Sequence, residues 1–187
     1  VADPKKPEIK AVPGKIQIGY SEVVFVSEKI PENLPWKSLA IDVVVESTGL
    51  FTKFSEAAVH IKAGAKKVVI SAPAKDDPTS PDQATVLMGI NDSKLQTLNV
   101  TSNASCTTNA ASPLIAILDE KIGIEKAVLS TTHGYTASQS LVDAPNKKDF
   151  REGRAAAQNI VPSTTGAAIA VTKAFPRLTG LFDGISM

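Results

Sequence analysis

Between Ile41 and Ser102 the chain repeats one pattern: a short apolar run, a small or polar ending, then a connection. The runs are Ile41-Asp42-Val43-Val44-Val45, Lys67-Val68-Val69-Ile70, Ala84-Thr85-Val86-Leu87-Met88 and the alternating Leu95, Leu98 and Val100. Ile41 to Val45 has the continuous apolar character of a strand buried on both faces of a parallel sheet. After it, Phe54, Ala57, Ala58 and Ile61 fall on one face of an amphipathic helix that Gly64 stops. Strands alternating with crossovers specify an α/β fold with a doubly wound sheet. In such sheets ligands bind beyond the carboxyl ends of the strands. Those ends carry Glu46-Ser47-Thr48-Gly49, Ser71-Ala72-Pro73, Gly89 and Ser102-Asn103. Any one of these hydroxyls reads as a helix cap or turn residue, and their recurrence at successive strand ends favours a ligand.

The flanking segments follow other rules. Val1 to Pro7 is charged and proline-rich and reads as a loop. Ile9–Val12 and Lys15–Ile18 alternate around Pro13-Gly14, which suits a hairpin closed by a type II turn, and Glu22–Ser27 reads as a third strand. Pro31, Pro35 and Trp36 mark a connector that cannot continue a sheet. Past Cys106, residues Ala110, Ala111, Leu114, Ile115, Leu118 and Ile122 recur at helical spacing. Pro113 lies deep for a straight helix beginning at Cys106, so a kink or a later start is expected. Gly123 breaks that pattern. Ala127–Thr132 reads as a strand running into His133-Gly134-Tyr135-Thr136, Ser138–Gly153 as a long polar loop, Val161–Gly166 as the opening of a helix over Ala167–Ala174, and Phe182–Met187 as a strand cut short.

The composition of the 187 residues, 43% hydrophobic and 21% charged with a net charge of +1, is that of a globular chain without the basic stripe a nucleic-acid partner requires. The paired lysines (Lys5-Lys6, Lys66-Lys67, Lys147-Lys148) read as solvated turns. A single cysteine excludes an internal disulfide and fits a reducing, cytoplasmic setting. No apolar run reaches membrane-spanning length and no signal-peptide pattern opens the chain, so no membrane partner is expected. No metal site is read either.

Cys106 stands where an extended run hands over to a helical one, among the first free N–H groups of the helix, where a thiolate is stabilised. Taken alone, a buried, inert cysteine is the simpler reading. Cysteine chemistry needs a base. Of the two histidines, His60 reads as a partly exposed structural residue, whereas His133 ends a strand before a glycine and can project into a cleft. Three groups could hold anions: the hydroxyls of Ser105 and Thr107, the helix start at Thr165-Gly166, and Arg151 with Arg154. The residues by themselves describe a Cys–His enzyme acting on a phosphorylated small molecule.

Ser102-Asn103-Ala104-Ser105-Cys106-Thr107-Thr108-Asn109 is similar to the active-site signature of the glyceraldehyde-3-phosphate dehydrogenases. The resemblance extends through Glu46–Gly49, Ser71–Pro73, His133–Gln139, Arg151–Arg154 and Val161–Ala168. It implies the later part of a Rossmann-type NAD-binding lobe over 1–104 and the first part of an α+β catalytic lobe over 105–187. It also implies oxidation of glyceraldehyde 3-phosphate with inorganic phosphate and NAD to 1,3-bisphosphoglycerate, as in glycolysis. Cys106 resembles the nucleophile that forms a thiohemiacetal and then a thioester, and His133 the base. Thr136 and Arg151 resemble the pocket for the substrate's phosphate, and Ser105, Thr107, Thr165 and Gly166 the site of the attacking phosphate. Lys29, Ser47, Thr48, Gly49, Phe51 and Ser71 match positions lining the NAD site. The 135–159 loop resembles one that packs against a neighbour in a homotetramer.

The chain departs from that family in having Ala110 where many members carry a second cysteine. It also has no glycine-rich dinucleotide fingerprint and no acidic ribose-binding residue after one, which leaves NADP open beside NAD. These departures and the early C-terminus read as a fragment lacking both ends. Three alternatives stand beside the main reading: an erythrose-4-phosphate dehydrogenase, a cysteine hydrolase, and a non-catalytic fragment.

Overall fold

The computed structural model describes residues 7–163 and 165–187; most of the loop expected over Val1–Pro7, the Lys5-Lys6 pair and Thr164 lie outside the described residues. The chain begins with an antiparallel meander of β1 (Ile9–Val12), β2 (Lys15–Ile18) and β3 (Ser21–Val24). Gly14 closes the first turn at φ +72°, the left-handed value that a type II turn requires of its third residue. β3 ends at Val24, short of the Ser27 expected.

Four parallel strands follow: β4 (Val43–Glu46), β5 (Lys67–Ile70), β6 (Gln83–Thr85) and β7 (Val100–Ser102), in the order β4-β5-β7-β6. The helical stretch after β4 is divided at Ala58 into α1 (Phe54–Ala57) and α2 (Val59–Lys62). Its apolar side packs Phe54 and Ala57 on Val44, Val68, Ile70 and Val100. The carboxylate of Asp76 accepts from the Phe54 and Ser55 N–H groups, which caps this helical stretch from the loop after β5. Gly64, at φ +110°, ends it against Lys37.

Several expectations are corrected here. β4 is an edge strand covered on one face only, and Val43 and Val45 are exposed on the other. Leu95 lies in a short 3-10 turn, Asp92–Gln96, and the strand starts later, at Val100. The run over Ala84–Met88 leaves the sheet after Thr85, because the side chains of Asn91 and Asp92 take the N–H groups of Leu87 and Gly89 into turns. Lys67 is no solvated turn residue, since its ammonium donates to the carbonyls of Leu95 and Leu98 at 2.7 Å. His60 is buried rather than partly exposed.

The second half is built on α3 (Cys106–Lys121), α4 (Ala167–Ala174) and the parallel pair β8 (Ala127–Thr131) and β9 (Phe182–Ser186). Ala111 and Ile115 of α3 pack on Ala168 and Val171 of α4, over Leu178 and Phe182. α3 begins at Cys106 itself and runs through Pro113, so of the two expectations, a kink or a later start, the later start does not hold. A proline there forfeits one intrahelical bond, and burial of the Ala111 and Ile115 face on both sides of it holds the helix together. Among the described residues, no helix is long and apolar enough to cross a membrane.

Candidate active site

The turn from β7 into α3 is fixed by side chains on both sides of it. Ser102 is fully buried; its hydroxyl donates to the Ala72 carbonyl at 2.7 Å and accepts from the N–H groups of Ala74 and Ala104. Ala104 is held at φ +55°, a region that costs an L residue about 1–2 kcal/mol. The Asn109 amide spans the turn, donating to the carbonyls of Asn103 at 2.7 Å and Ser105 at 2.9 Å. Ser105 is the N-cap, its Oγ accepting from the Thr108 N–H at 3.1 Å. Cys106 is therefore the first residue of a capped helix. Its exposed side chain stands over N–H groups that have no partner within the helix.

His133 arrives from the other direction. Its backbone lies just past β8, where its N–H donates to the Met187 carbonyl at 2.8 Å. Its Nε2 is 3.2 Å from Cys106 Sγ. Its Nδ1 is 2.6 Å from the Gly134 carbonyl oxygen. A carbonyl only accepts, so Nδ1 carries a proton and Nε2 is the position that exchanges one with the sulfur. The hydrogen bond from His133, helped by the Thr107 bonds, holds the Cys106 thiol below its ordinary range despite partial desolvation. The bond to Cys106, then that to Gly134, raises His133. Both shifts favour a thiolate–imidazolium pair.

The pair lies between two concavities. One is a cleft of about 450 Å³ whose lining includes Ser105, Thr107, His133, Thr136, Thr165 and Gly166. The other is an apolar hollow of about 310 Å³ between α3 and β8, with Ala110, Leu114 and Leu129 beside Cys106. Thr165 Oγ1 accepts from the Ala167 N–H at 3.2 Å, and Gly166 precedes the first turn of α4. The structure thus brings Ser105, Thr107, Thr136, Thr165 and Gly166 to one cleft beside His133. Arg151 does not line it. Its guanidinium is engaged by both carboxylate oxygens of Asp149, and Arg154 pairs with Asp143.

Ser47, Thr48, Gly49 and Ser71 lie at the carboxyl ends of β4 and β5. Ser47, Thr48, Gly49 and Ser71 are exposed, Phe51 is half-buried, and Lys29 is exposed on the connection after β3. Thr48 is held by Glu46, whose Oε1 accepts from its N–H at 2.8 Å and from its hydroxyl. Sequence reasoning gave no role of their own to Glu46, Asp149, Gly134 or the Asn109 amide. For Asp149 the spacing to Arg151 was a usable signal; for Glu46 none existed, because its partner His60 comes from another element.

Residues 105–187 match the family model described as glyceraldehyde 3-phosphate dehydrogenase, C-terminal domain. Residues 3–54 match the one described as glyceraldehyde 3-phosphate dehydrogenase, NAD binding domain. The chain is 46% identical to glyceraldehyde-3-phosphate dehydrogenase B of Aspergillus oryzae over 172 residues, 92% of this chain and 50% of the relative. It is 46% identical to glyceraldehyde-3-phosphate dehydrogenase of Streptomyces coelicolor over 184 residues, 97% of this chain and 53% of the relative. The same figures hold for cytosolic glyceraldehyde-3-phosphate dehydrogenase 3 of Zea mays. The chain spans about half the length of the curated relatives it matches.

Proposed function

Since the chain belongs to the glyceraldehyde-3-phosphate dehydrogenase family, we propose that it carries the reactive centre for NAD-dependent, phosphorylating oxidation of glyceraldehyde 3-phosphate to 1,3-bisphosphoglycerate. The observation that carries this reading is the 3.2 Å approach of His133 Nε2 to Cys106 Sγ at the start of a capped helix. The Cys106 thiolate attacks the aldehyde carbon, a C–S bond forms, and the carbonyl oxygen takes the Nε2 proton of His133. The Cys106 N–H and the His133 ring stabilise that oxygen while it is charged. Nε2, now unprotonated and held by the Gly134 carbonyl through Nδ1, is placed to take the hydroxyl proton back as the thioester forms. NAD, when bound, supplies the acceptor for the hydride that leaves the same carbon. An oxygen of inorganic phosphate then attacks the thioester, the C–S bond breaks, and the thiolate returns to face the imidazolium.

Thr136 and Arg151 take the substrate's phosphate in this reading, and Ser105, Thr107, Thr165 and Gly166 the attacking one. The hydroxyls of Ser105, Thr107, Thr136 and Thr165 are grouped at one cleft with the helix start at Gly166, as anion binding needs. Arg151 reaches a substrate by exchanging its bond to Asp149. The residues present also fit the cofactor. Nothing lies within 4 Å of the position a Cβ would take on Gly49, and the exposed hydroxyls of Ser47, Thr48 and Ser71 stand beside that open ground. With Phe51 and Lys29 they would hold NAD. The division into a cofactor lobe, 1–104, and a catalytic lobe, 105–187, is supported by the two separate hydrophobic clusters. A homotetramer packed through the 135–159 loop, in the cytoplasm, completes the proposal; exposed Tyr135, Leu141, Val142 and Phe150 support that packing.

The names of the relatives and the description of the family models favour the glyceraldehyde substrate and give the erythrose 4-phosphate alternative no support. The half-reaction that needs no cofactor tests the proposal. Incubation with an acyl phosphate should transfer the acyl group to Cys106, visible as a mass increase that hydroxylamine reverses. Adding glyceraldehyde 3-phosphate, NAD and phosphate should yield reduced nicotinamide. Cleavage of a simple thioester with no acyl exchange to phosphate would overturn the proposal in favour of a hydrolase.

A further inference from the structure

Glu46 ends β4 and is 4% exposed, yet both of its carboxylate oxygens are used. Oε1 faces outward and accepts from the Thr48 N–H and hydroxyl. Oε2 faces inward, 2.9 Å from Nε2 of His60, which is 3% exposed. The other ring nitrogen fixes who donates. Trp36 Nε1–H can only donate, and it does so to His60 Nδ1 at 3.1 Å. Nδ1 is therefore the acceptor, and Nε2 carries the proton that Glu46 Oε2 accepts. The result is a one-directional chain, Trp36 to His60 to Glu46, drawn from the connector before β4, from α2 and from β4.

None of these three side chains hydrogen-bonds to Cys106 or His133. A buried carboxylate is costly unless its lone pairs are met, and here the inner bond from His60 leaves the outer oxygen turned toward the Ser47–Gly49 turn. The Thr48 hydroxyl accepts in turn from the Leu50 N–H at 3.1 Å, which carries the constraint one step further along that turn. The His60 ring also stands edge-on behind Phe51, centroids 6.5 Å apart at 79°.

We infer that His60 is a positioning residue for the cofactor: through Glu46 and Phe51 it fixes the Ser47–Phe51 segment in the shape that receives NAD, in the tautomer that Trp36 imposes. The inference rests on the cofactor reading proposed above. His60→Leu removes the inner donor, so the Glu46 carboxylate is free to turn away from Thr48. His60→Gln keeps an N–H donor at about the reach of Nε2. Trp36→Phe leaves the ring in place and releases only the tautomer.

Amide hydrogen exchange on the whole chain, with NAD binding measured in parallel, is the test. In His60→Leu the Thr48 and Leu50 amides should exchange at least about tenfold faster, while those of β5 keep the rate of the unaltered chain. His60→Gln should restore most of the protection, Trp36→Phe should lose part of it, and the apparent Kd for NAD should rise in the same order. Cys106 alkylation should not change. Uniform acceleration across β5 and the turn, or unchanged rates at Thr48, would overturn the inference, as would selective acceleration with unaltered NAD affinity. Should His60→Leu fail to fold, Trp36→Phe and His60→Gln read the same two sites. Selective acceleration in a chain whose unaltered form binds no NAD would support the clamp and remove the cofactor reading instead.

Discussion

Sγ of Cys106 and Nε2 of His133 are 3.2 Å apart although 27 positions separate the two residues. One lies at the head of a helix and the other just past a strand, so the distance is set by packing between α3 and β8 rather than by local sequence. The chemistry of the site depends on that packing.

The first expected outcome concerns pH. The hydrogen bond from His133 lowers the folded thiol from its ordinary value, and the same bond raises the folded imidazole from its own. The thiolate is therefore already present at pH values where a free thiol is protonated, and the imidazolium persists to higher pH than a free histidine. Alkylation of Cys106 by iodoacetamide, followed against pH, should begin below the free-thiol range. Cys106→Ser should react with neither iodoacetamide nor an acyl phosphate.

His133→Asn removes the first cause of the thiol shift. The alkylation onset should move upward, toward that of a free thiol. Acyl transfer should fall by about 10²–10⁴-fold, the range for losing a general base. Retained acyl transfer at near the original rate, in a stopped-flow assay, would refute the role of His133.

Ser105→Ala removes the cap of α3 and the hydroxyl bonded to Thr108 Oγ1 at 2.7 Å. A lost N-cap costs about 0.5–2 kcal/mol, and Thr108, fully buried, has its own hydroxyl left short of a partner. Thermal unfolding should show a Tm lowered by several degrees, with Cys106 less reactive in the native state.

Gly64→Ala should be more costly than its size suggests. The residue is at φ +110°, and a Cβ there would come within 2.5 Å of Lys37 Cβ and 2.7 Å of Lys37 backbone atoms. Positive φ alone costs about 1–3 kcal/mol for a non-glycine residue, and the clash adds to it. Urea unfolding should show a lower midpoint with an unchanged slope.

Glu46 supplies a stability prediction at low pH. Burial works to raise its carboxyl, but the Thr48 hydroxyl, His60 and the Thr48 N–H together outweigh it and hold the group below its ordinary value. A carboxylate with a lowered folded pKa stabilises the fold above its unfolded value, roughly 4.3, and that contribution is lost as pH falls through the folded one. Glu46→Gln should be less stable at neutral pH and should lose less stability on acidification, as read by chemical unfolding at a series of pH values.

What could be read from the chain, and what could not, divides along the range of the interactions involved. β1, β2 and β5 lie over the residues expected, because a Pro-Gly turn and a valine-rich run are local signals. A strand-to-helix turn at Cys106 was marked by the apolar spacing beyond it, whereas the cap that Ser105 supplies emerged only in the structure. Pro113 misled as to a later start, since the core that Ala111 and Ile115 share with α4 carries the helix through it from Cys106. The burial of His60 was hidden because its partners, Trp36 and Glu46, stand 24 and 14 positions away. Val43 and Val45 misled in the opposite sense: an apolar run says that a strand can be covered on both faces, not that both covers are present. The pairing of Arg151 was ambiguous for a simpler reason: Asp149 stands only two positions away, yet an arginine's need for an anion can be met by a ligand as well as by such a neighbour.

The backbone on either side of His133 is stitched to the end of the described chain: Met187 donates to the Thr131 carbonyl at 2.9 Å and accepts from the His133 N–H at 2.8 Å. β8 and β9 pair in parallel, and parallel partners meet only after the long crossover between them has been made. A growing polypeptide that has reached α4 already contains Cys106 and α3, but its imidazole has no fixed place. Until Phe182–Ser186 docks, the sulfur lacks the hydrogen bond from His133 that does most to lower its pKa. The reactivity of Cys106 is thus tied to a non-local strand pairing, and whatever loosens Phe182–Ser186 from β8 loosens the base from its nucleophile.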